Sequence, residues 1–341
     1  MKLNLHLFDL NVQTTTKATA GTNDLRPEMK TYYEKRLLDA AEPNLVHAQF
    51  GDKYPIPAHG GKTIEFRRYS ALPKALTPLT EGVTPNGSNL NVETVTGTVL
   101  QYGDYVTISD VLELTAIDRN IEQATKLLGS SAGRTLDTVI REKMMEGQNV
   151  MFAPKVSGGT ETAVTARTQI DETALLTMDV IFKAVAALKA QNAAPIDDSF
   201  VAIVHPNVAC DLMLSDKWVD VHKYAQPENI YRGEIGKIGG VRFVESTEAK
   251  CFGQVGAGTG TSQASVYATL VIGANAYGVT DVEGGGLQHI VKQLGSAGTA
   301  DPLNQRATTG WKALQTAEIL SQPYMIRIEH GCATAPTAPA N

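Results

Sequence analysis

The chain has only three cysteines, Cys210, Cys251 and Cys332, and no two of them are close in sequence. An odd, scattered set argues against a disulfide framework, and without close pairs there is no cysteine zinc site, so a reducing compartment is implied. No apolar run reaches the roughly eighteen residues that a membrane span needs. The first ten residues lack the basic-then-apolar order of a signal peptide. Lys and Arg number 30 against 36 Asp and Glu, for a formal charge of -6, with no long block of one sign. That balance lacks the clustered cations with which proteins grip nucleic acid. No self-similarity is visible at the period of about twenty to fifty residues that marks a solenoid.

Catalytic and cofactor motifs are missing too. Gly60-Gly61-Lys62-Thr63 looks like the end of a phosphate-binding loop, but the position of the opening glycine is Ile56 and the segment leads into a strand. Gly256-Ala257-Gly258-Thr259-Gly260 lacks the third glycine of a dinucleotide fingerprint and reads as a surface loop. The seven histidines include no pair at helical metal-ligand spacing, and His205, before Pro206, reads as a turn residue. Solvation and helix-dipole effects explain Asp197-Asp198 and the acidic residues Asp171, Glu172 and Asp179. No Gly-x-Ser-x-Gly elbow is present. No enzyme activity, cofactor or metal is therefore expected.

What the chain does have is apolar residues at 43% and charged residues at 19%, enough for a sizeable core. It also has an unusual stretch, 62–110. Lys62-Thr63-Ile64-Glu65-Phe66-Arg67-Arg68-Tyr69 alternates at the period of a half-buried strand, and Val99 to Ile108 is rich in β-branched and aromatic residues. About thirty residues between these flanks, with Pro73, Pro78, Gly82, Pro85, Gly87 and Gly97 among them, have no core of their own. A connection this long is usually functional or disordered, which points to an arm reaching onto another molecule.

Residues 1–61 read as an irregular arm with one short helix over 27–39. Ser109-Asp110 is placed to cap a helical segment, Gly129-Ser130-Ser131 is expected to interrupt it, and an amphipathic helix then runs over 131–147 through Leu136, Val139, Ile140 and Met144. Ser157-Gly158-Gly159-Thr160 suits a hairpin tip. A helix capped by Thr177 places Met178, Ile181, Phe182, Val185 and Leu188 on one face, and Phe200 to Val204 reads as a buried strand. Strands are expected at 231–244, 266–273, 277–282, 287–294, 311–320 and 324–329. The Thr-Ala-Pro pattern over 331–341 reads as a flexible tail. The order of helix, buried strand and helix implies a mixed α+β architecture. Arg67, Arg68, Lys74, Glu81 and Glu93 are the candidate inter-subunit contacts, pairing with opposite charges on a neighbouring copy to set register.

Three segments resemble the major capsid proteins of tailed bacteriophages, in the subgroup related to N4-type capsid proteins. They are Ile64-Glu65-Phe66-Arg67-Arg68 with 76–85; Tyr102-Gly103-Asp104-Tyr105 with 109–114; and Val204-His205-Pro206, Asp211-Leu212 and Trp218 with 230–246. The resemblance covers about 25–330. It implies a Hong Kong 97-like fold: an N-terminal arm over 1–61, an extended hairpin called the E-loop with its base strands over 62–109, and a peripheral domain with a spine helix over 110–174. An axial domain over 175–283 and a return to the periphery over 284–330 would follow. It also implies assembly as hexamers and pentamers into an icosahedral head around double-stranded DNA held without sequence-specific binding. A portal protein, a possible decoration protein and assembly in the bacterial cytoplasm come with that implication. Because little precedes the E-loop, a separate scaffolding protein is implied rather than a fused one. The competing expectations are a nanocompartment shell of the same fold and an α/β enzyme with a glycine-rich phosphate loop.

Overall fold

The computed structural model describes Leu37, Ala40 and Ala41, then residues 45–57, 61–69, 72, 74–79, 81–84, 86–115, 120–215, 218, 234–260, 263–282, 285–296 and 301–341. Of the helix expected over 27–39 only Leu37 falls within them. The elements begin with β1 (Asp52–Ile56), β2 (Thr63–Tyr69), β3 (Val92–Thr98), β4 (Leu100–Ser109), α1 (Asp110–Thr115), α2 (Asn120–Met145), β5 (Val150–Phe152), β6 (Lys155–Ser157), β7 (Thr160–Thr162) and α3 (Met178–Ala190). They continue with β8 (Phe200–Val204), α4 (Pro206–Met213), β9 (Glu234–Ile238), β10 (Val241–Glu245), β11 (Cys251–Gln254), β12 (Ser265–Ile272), β13 (Tyr277–Val282), β14 (Gln288–Lys292), β15 (Arg306–Gln315), β16 (Ala317–Ile319) and β17 (Met325–His330). The chain divides into two compact units, a smaller one of 1–43, 102–133 and 287–313 and a larger one of 44–101, 134–286 and 314–341.

The larger unit is built on a sheet of order β5-β17-β12-β8-β10-β9, with β11 paired to β12. The central strand β8 is buried at every position. Its alternate residues serve two cores. Phe200, Ala202 and Val204 pack with Ile181, Val185 and Leu188 of α3 and Leu212 of α4. Val201 and Ile203 pack with Ile140 and Met144 of α2. A strand covered on both faces reads as a continuous apolar run rather than an alternating one, which is why this segment stood out in the sequence. His205 caps α4, its Nδ1 accepting from the Asn207 amide at 3.2 Å, and Pro206 occupies the first turn. On α3, Phe182 leaves the predicted face: it is 42% exposed and lies over Gly239, where a Cβ would meet its ring. Gly158 and Gly159, both at positive φ, turn β6 back onto β7 as the sequence suggested.

A second sheet of the larger unit, of order β1-β13-β16, corrects the irregular reading of 1–61, since β1 runs parallel to β13 with Asp52 opposite Gly278. The approach to β1 is fixed by a buried polar network. The His47 backbone amide and Nδ1 both meet the Asp137 carboxylate at 2.7 Å, and the Tyr277 hydroxyl donates to the His47 carbonyl at 2.5 Å. Burial, followed by the Asp137 charge, pushes the Tyr277 phenol far above its usual range.

In the smaller unit β14, β15 and β4 form a sheet in that order, with Trp311 buried. The Ser109 hydroxyl accepts from the Leu112 amide at 3.3 Å, capping α1 as expected. The expected break at Gly129-Ser130-Ser131 does not occur: α2 is one helix of 26 residues. Gly129 serves packing instead, because a Cβ there would lie 2.7 Å from the Leu37 carbonyl oxygen and 2.8 Å from the Ala40 Cβ. Gly129→Ala therefore sets up to about 1 kcal/mol of helix propensity against an overlap with rigid backbone costing about 1–3 kcal/mol. The overlap wins, and thermal denaturation should show the variant less stable than the parent.

The tail expected to be flexible over 331–341 is instead docked. Asp211 accepts from the Ala333 and Thr334 amides, and the Ser265 amide donates to the Pro336 carbonyl at 2.8 Å. Low complexity reports a shortage of apolar side chains, whereas this segment is held by its backbone, which composition does not reveal.

Candidate functional site

The first base strand of the 62–110 stretch is where the sequence placed it, but its partner is not. β2 pairs antiparallel with β3, Thr63 opposite Thr98 through Tyr69 opposite Val92, while β4 joins the sheet of β15. The threonine-rich segment of β3 has strand propensity but little apolar content, so it read as loop. The stretch between the paired strands is thus shorter than expected, since the ladder ends at Tyr69 opposite Val92.

Among the described residues, the hairpin is anchored at its base alone. Phe66 is 1% exposed, and its ring meets Tyr54 of β1 edge to face at 4.9 Å between centroids. Across the ladder, opposite Ile64, Gly97 lies so close to β16 that a Cβ would come within 2.9 Å of the Glu318 Cγ. The Arg68 Nη1 donates to the Leu320 carbonyl at 3.3 Å. Beyond this base every described residue from Tyr69 to Thr94 is exposed. The exposed set includes Leu76 at 83%, Leu79 at 77% and Leu90 at 69%, together with Leu72 and Val83. A run of exposed leucines on a projecting segment is the kind of surface that marks an interaction site.

Of the charged candidates, the structure brings together Arg68 and Glu93, which face each other across the ladder with 3.8 Å between Nε and Oε2. Both partners are more than a third exposed, so the pair contributes about 0–1 kcal/mol. Arg67, Lys74 and Glu81 are exposed on the hairpin and its tip. The sequence signal for this surface is the recurrence of leucine at 72, 76, 79 and 90, with Pro73 and Pro78 between them disfavouring an ordinary helix.

Chemistry elsewhere is structural. Glu329, 1% exposed, receives Arg167 through two hydrogen bonds of 2.7 and 2.6 Å and lies 3.0 Å from the Arg327 Nε. The Cys332 thiol is pushed up to about 12, first by burial and then by the Asp211 carboxylate, which disfavours the thiolate a nucleophile needs. Among the described residues no three His, Cys, Asp or Glu side chains gather into a metal site, and no helix is long and apolar enough to cross a membrane.

His330 is fully buried, its Nδ1 2.7 Å from the Gly331 carbonyl and its Nε2 2.9 Å from the Thr269 hydroxyl. Burial holds its pKa down to about 4 against 6.5 for a free ring. As pH falls below about 6.5 the unfolded chain takes up this proton while the folded chain does not, so stability declines until about pH 4; the gap corresponds to about 3 kcal/mol. His205 and His289, also lowered by burial, act in the same direction. Melting temperature should fall between pH 7 and 4, with His330 remaining neutral by NMR titration down to about pH 5.

The model of a family described as phage capsid protein matches residues 110–294. No curated protein matches the sequence. Among solved structures, the capsid of cyanophage P-SCSP1u is similar with a TM-score of 0.62 at 15% identity, covering 84% of this chain and 88% of that one. The cyanophage Pam1 capsid asymmetric unit gives a TM-score of 0.61 at 16% identity, covering 96% and 99%. The capsid of Ralstonia phage GP4 gives 0.62 at 14% identity, covering 97% and 98%. At such identities the likeness is one of fold.

Proposed function

The chain belongs to the phage capsid protein family, and from that premise we propose that it is the major subunit of a tailed-phage head with a Hong Kong 97-like fold of the N4-type subgroup. Hexamers and pentamers of it form an icosahedral shell around double-stranded DNA, assembled in the host cytoplasm. In this reading a scaffolding protein, a portal protein and a decoration protein are the partners of the shell. In this scheme residues 1–61 are the N-terminal arm, 62–98 the E-loop with β2 and β3 as its base, α2 the spine helix, 175–283 the axial domain and 284–330 the return to the periphery.

The observation that carries the proposal is the tip over 70–91, which exposes leucines yet is held at its base by Phe66 and Gly97. A segment so placed gains burial from a second copy of the chain. Each leucine fully buried there is worth about 1.5–3 kcal/mol, against about 0–1 for each exposed ion pair. Leu72, Leu76, Leu79 and Leu90 therefore supply the adhesion, while Arg67, Arg68, Lys74, Glu81 and Glu93 adjust register. Expression of the chain alone and together with its genomic neighbours, followed by electron microscopy, tests this: closed shells are expected in at least one condition. A subunit that stays monomeric in both contradicts the proposal.

A further inference from the structure

Residues 333–341 lie across the larger unit without joining any strand, and they are held largely through their backbone. At one end the Asp211 carboxylate on α4 accepts from the Ala333 amide at 2.7 Å, the Thr334 amide at 3.1 Å and the Thr334 hydroxyl at 2.5 Å. In the middle the Tyr267 hydroxyl donates to the Ala335 carbonyl at 3.2 Å, the Ser265 amide to the Pro336 carbonyl at 2.8 Å and the Ser265 hydroxyl to the Ala338 carbonyl at 2.7 Å. At the other end the Asn341 side chain accepts from the Cys251 amide at 2.9 Å and donates to the Ala249 carbonyl at 2.8 Å. The Asn341 carbonyl receives Lys250 at 2.9 Å and Arg141 at 3.3 Å.

The surface beneath is shaped for small residues. A Cβ at Gly253 would come within 2.8 Å of the Ala340 amide nitrogen, and Ala335 and Ala338 pack onto the edge of the core. This is how peptide-binding grooves work: donors and acceptors aimed at an extended backbone, with a few side-chain positions giving selectivity. Ala333, Thr334, Thr337, Pro339, Ala340 and Asn341 remain exposed, so the segment buries little apolar area compared with the sheet it covers. A segment with that balance opens locally before its support unfolds.

We propose that the larger unit carries a peptide-binding groove, lined by Asp211, Ser265, Tyr267, Cys251, Lys250 and Arg141, whose resident ligand is residues 333–341. The ligand class is an extended Ala/Thr/Pro segment with an Asn anchor eight residues after its first docked Ala, released as one unit while the sheet stays folded. The prolines suit this role, since they stiffen the free segment towards the extended form and reduce the entropy lost on docking.

Hydrogen exchange on the full chain tests the proposal. The Ala333 and Thr334 amides should exchange at least about 100-fold faster than those of Val271 and Ile328, which open only with the sheet. Asn341→Ala, at an exposed position, should accelerate Ala333 and Thr334 by about tenfold or more through loss of the far anchor, leaving the sheet amides unchanged. A fluorescent carboxamide peptide with the sequence of 333–341 should bind the Asn341→Ala chain saturably, and the same peptide with its residues scrambled should not. Exchange of Ala333 at the rate of the sheet, no effect of Asn341→Ala on Ala333 and Thr334, or no peptide binding would each overturn the proposal.

Discussion

Replacing residues 72–90 by a short turn that joins β2 directly to β3 leaves a folded subunit that builds no closed shell. The excised segment is exposed at every described position, so its removal takes no packing from the chain's own cores. The register from Thr63–Thr98 to Tyr69–Val92 and the Phe66 anchor both remain. Melting temperature should therefore stay within a few degrees of the parent, because surface changes of this kind rarely cost more than about 0.5 kcal/mol. Assembly, read by sedimentation and electron microscopy, should be lost. Leu76→Asp with Leu79→Asp should reproduce the loss, whereas Lys74→Ala should only weaken or reorder assembly, because apolar burial outweighs exposed charge pairing here. Normal particles from the deleted chain would remove the arm from the account.

Ile140→Asp has the largest expected effect on the subunit itself. Ile140 is fully buried on α2 in a core with Ile203 of β8 and Leu270 and Ile272 of β12. The change removes an apolar side chain worth about 2–5 kcal/mol and places a carboxylate among apolar side chains that offer it no solvation, at a further cost of several kcal/mol. Total stability for a domain is about 5–15 kcal/mol, so the variant should be insoluble or melt far below the parent. Leu127→Asp on the same helix is the control. Leu127 is exposed, so the subunit should keep its stability within about 0.5 kcal/mol.

The sequence revealed those features whose periodicity matches their burial. β8 was legible because both of its faces are covered, and the last part of α2 because Leu136, Ile140 and Met144 face inward at helical spacing. Gly129 misled for the opposite reason: glycine ordinarily weakens a helix, but here close packing against Leu37 and Ala40 outweighs propensity. β3 was hidden because its threonines, exposed on a hairpin with one anchored face, carry no apolar alternation. The docked segment over 333–341 was hidden because its partners are backbone groups distant in sequence. For the arm, length and loop chemistry were enough to single it out. Charge marks a contact residue by its chemistry alone, whereas the exposure of Leu76 and Leu79 depends on where the paired base of the hairpin ends.

The most direct test of the central claim is to trace residues 72–90 in assembled particles by electron cryo-microscopy. The account predicts that Leu72, Leu76, Leu79 and Leu90 lie against an adjacent copy and lose most of the exposure they have in the isolated chain. A tip folded back onto its own subunit, or still exposed in the closed shell, would contradict it.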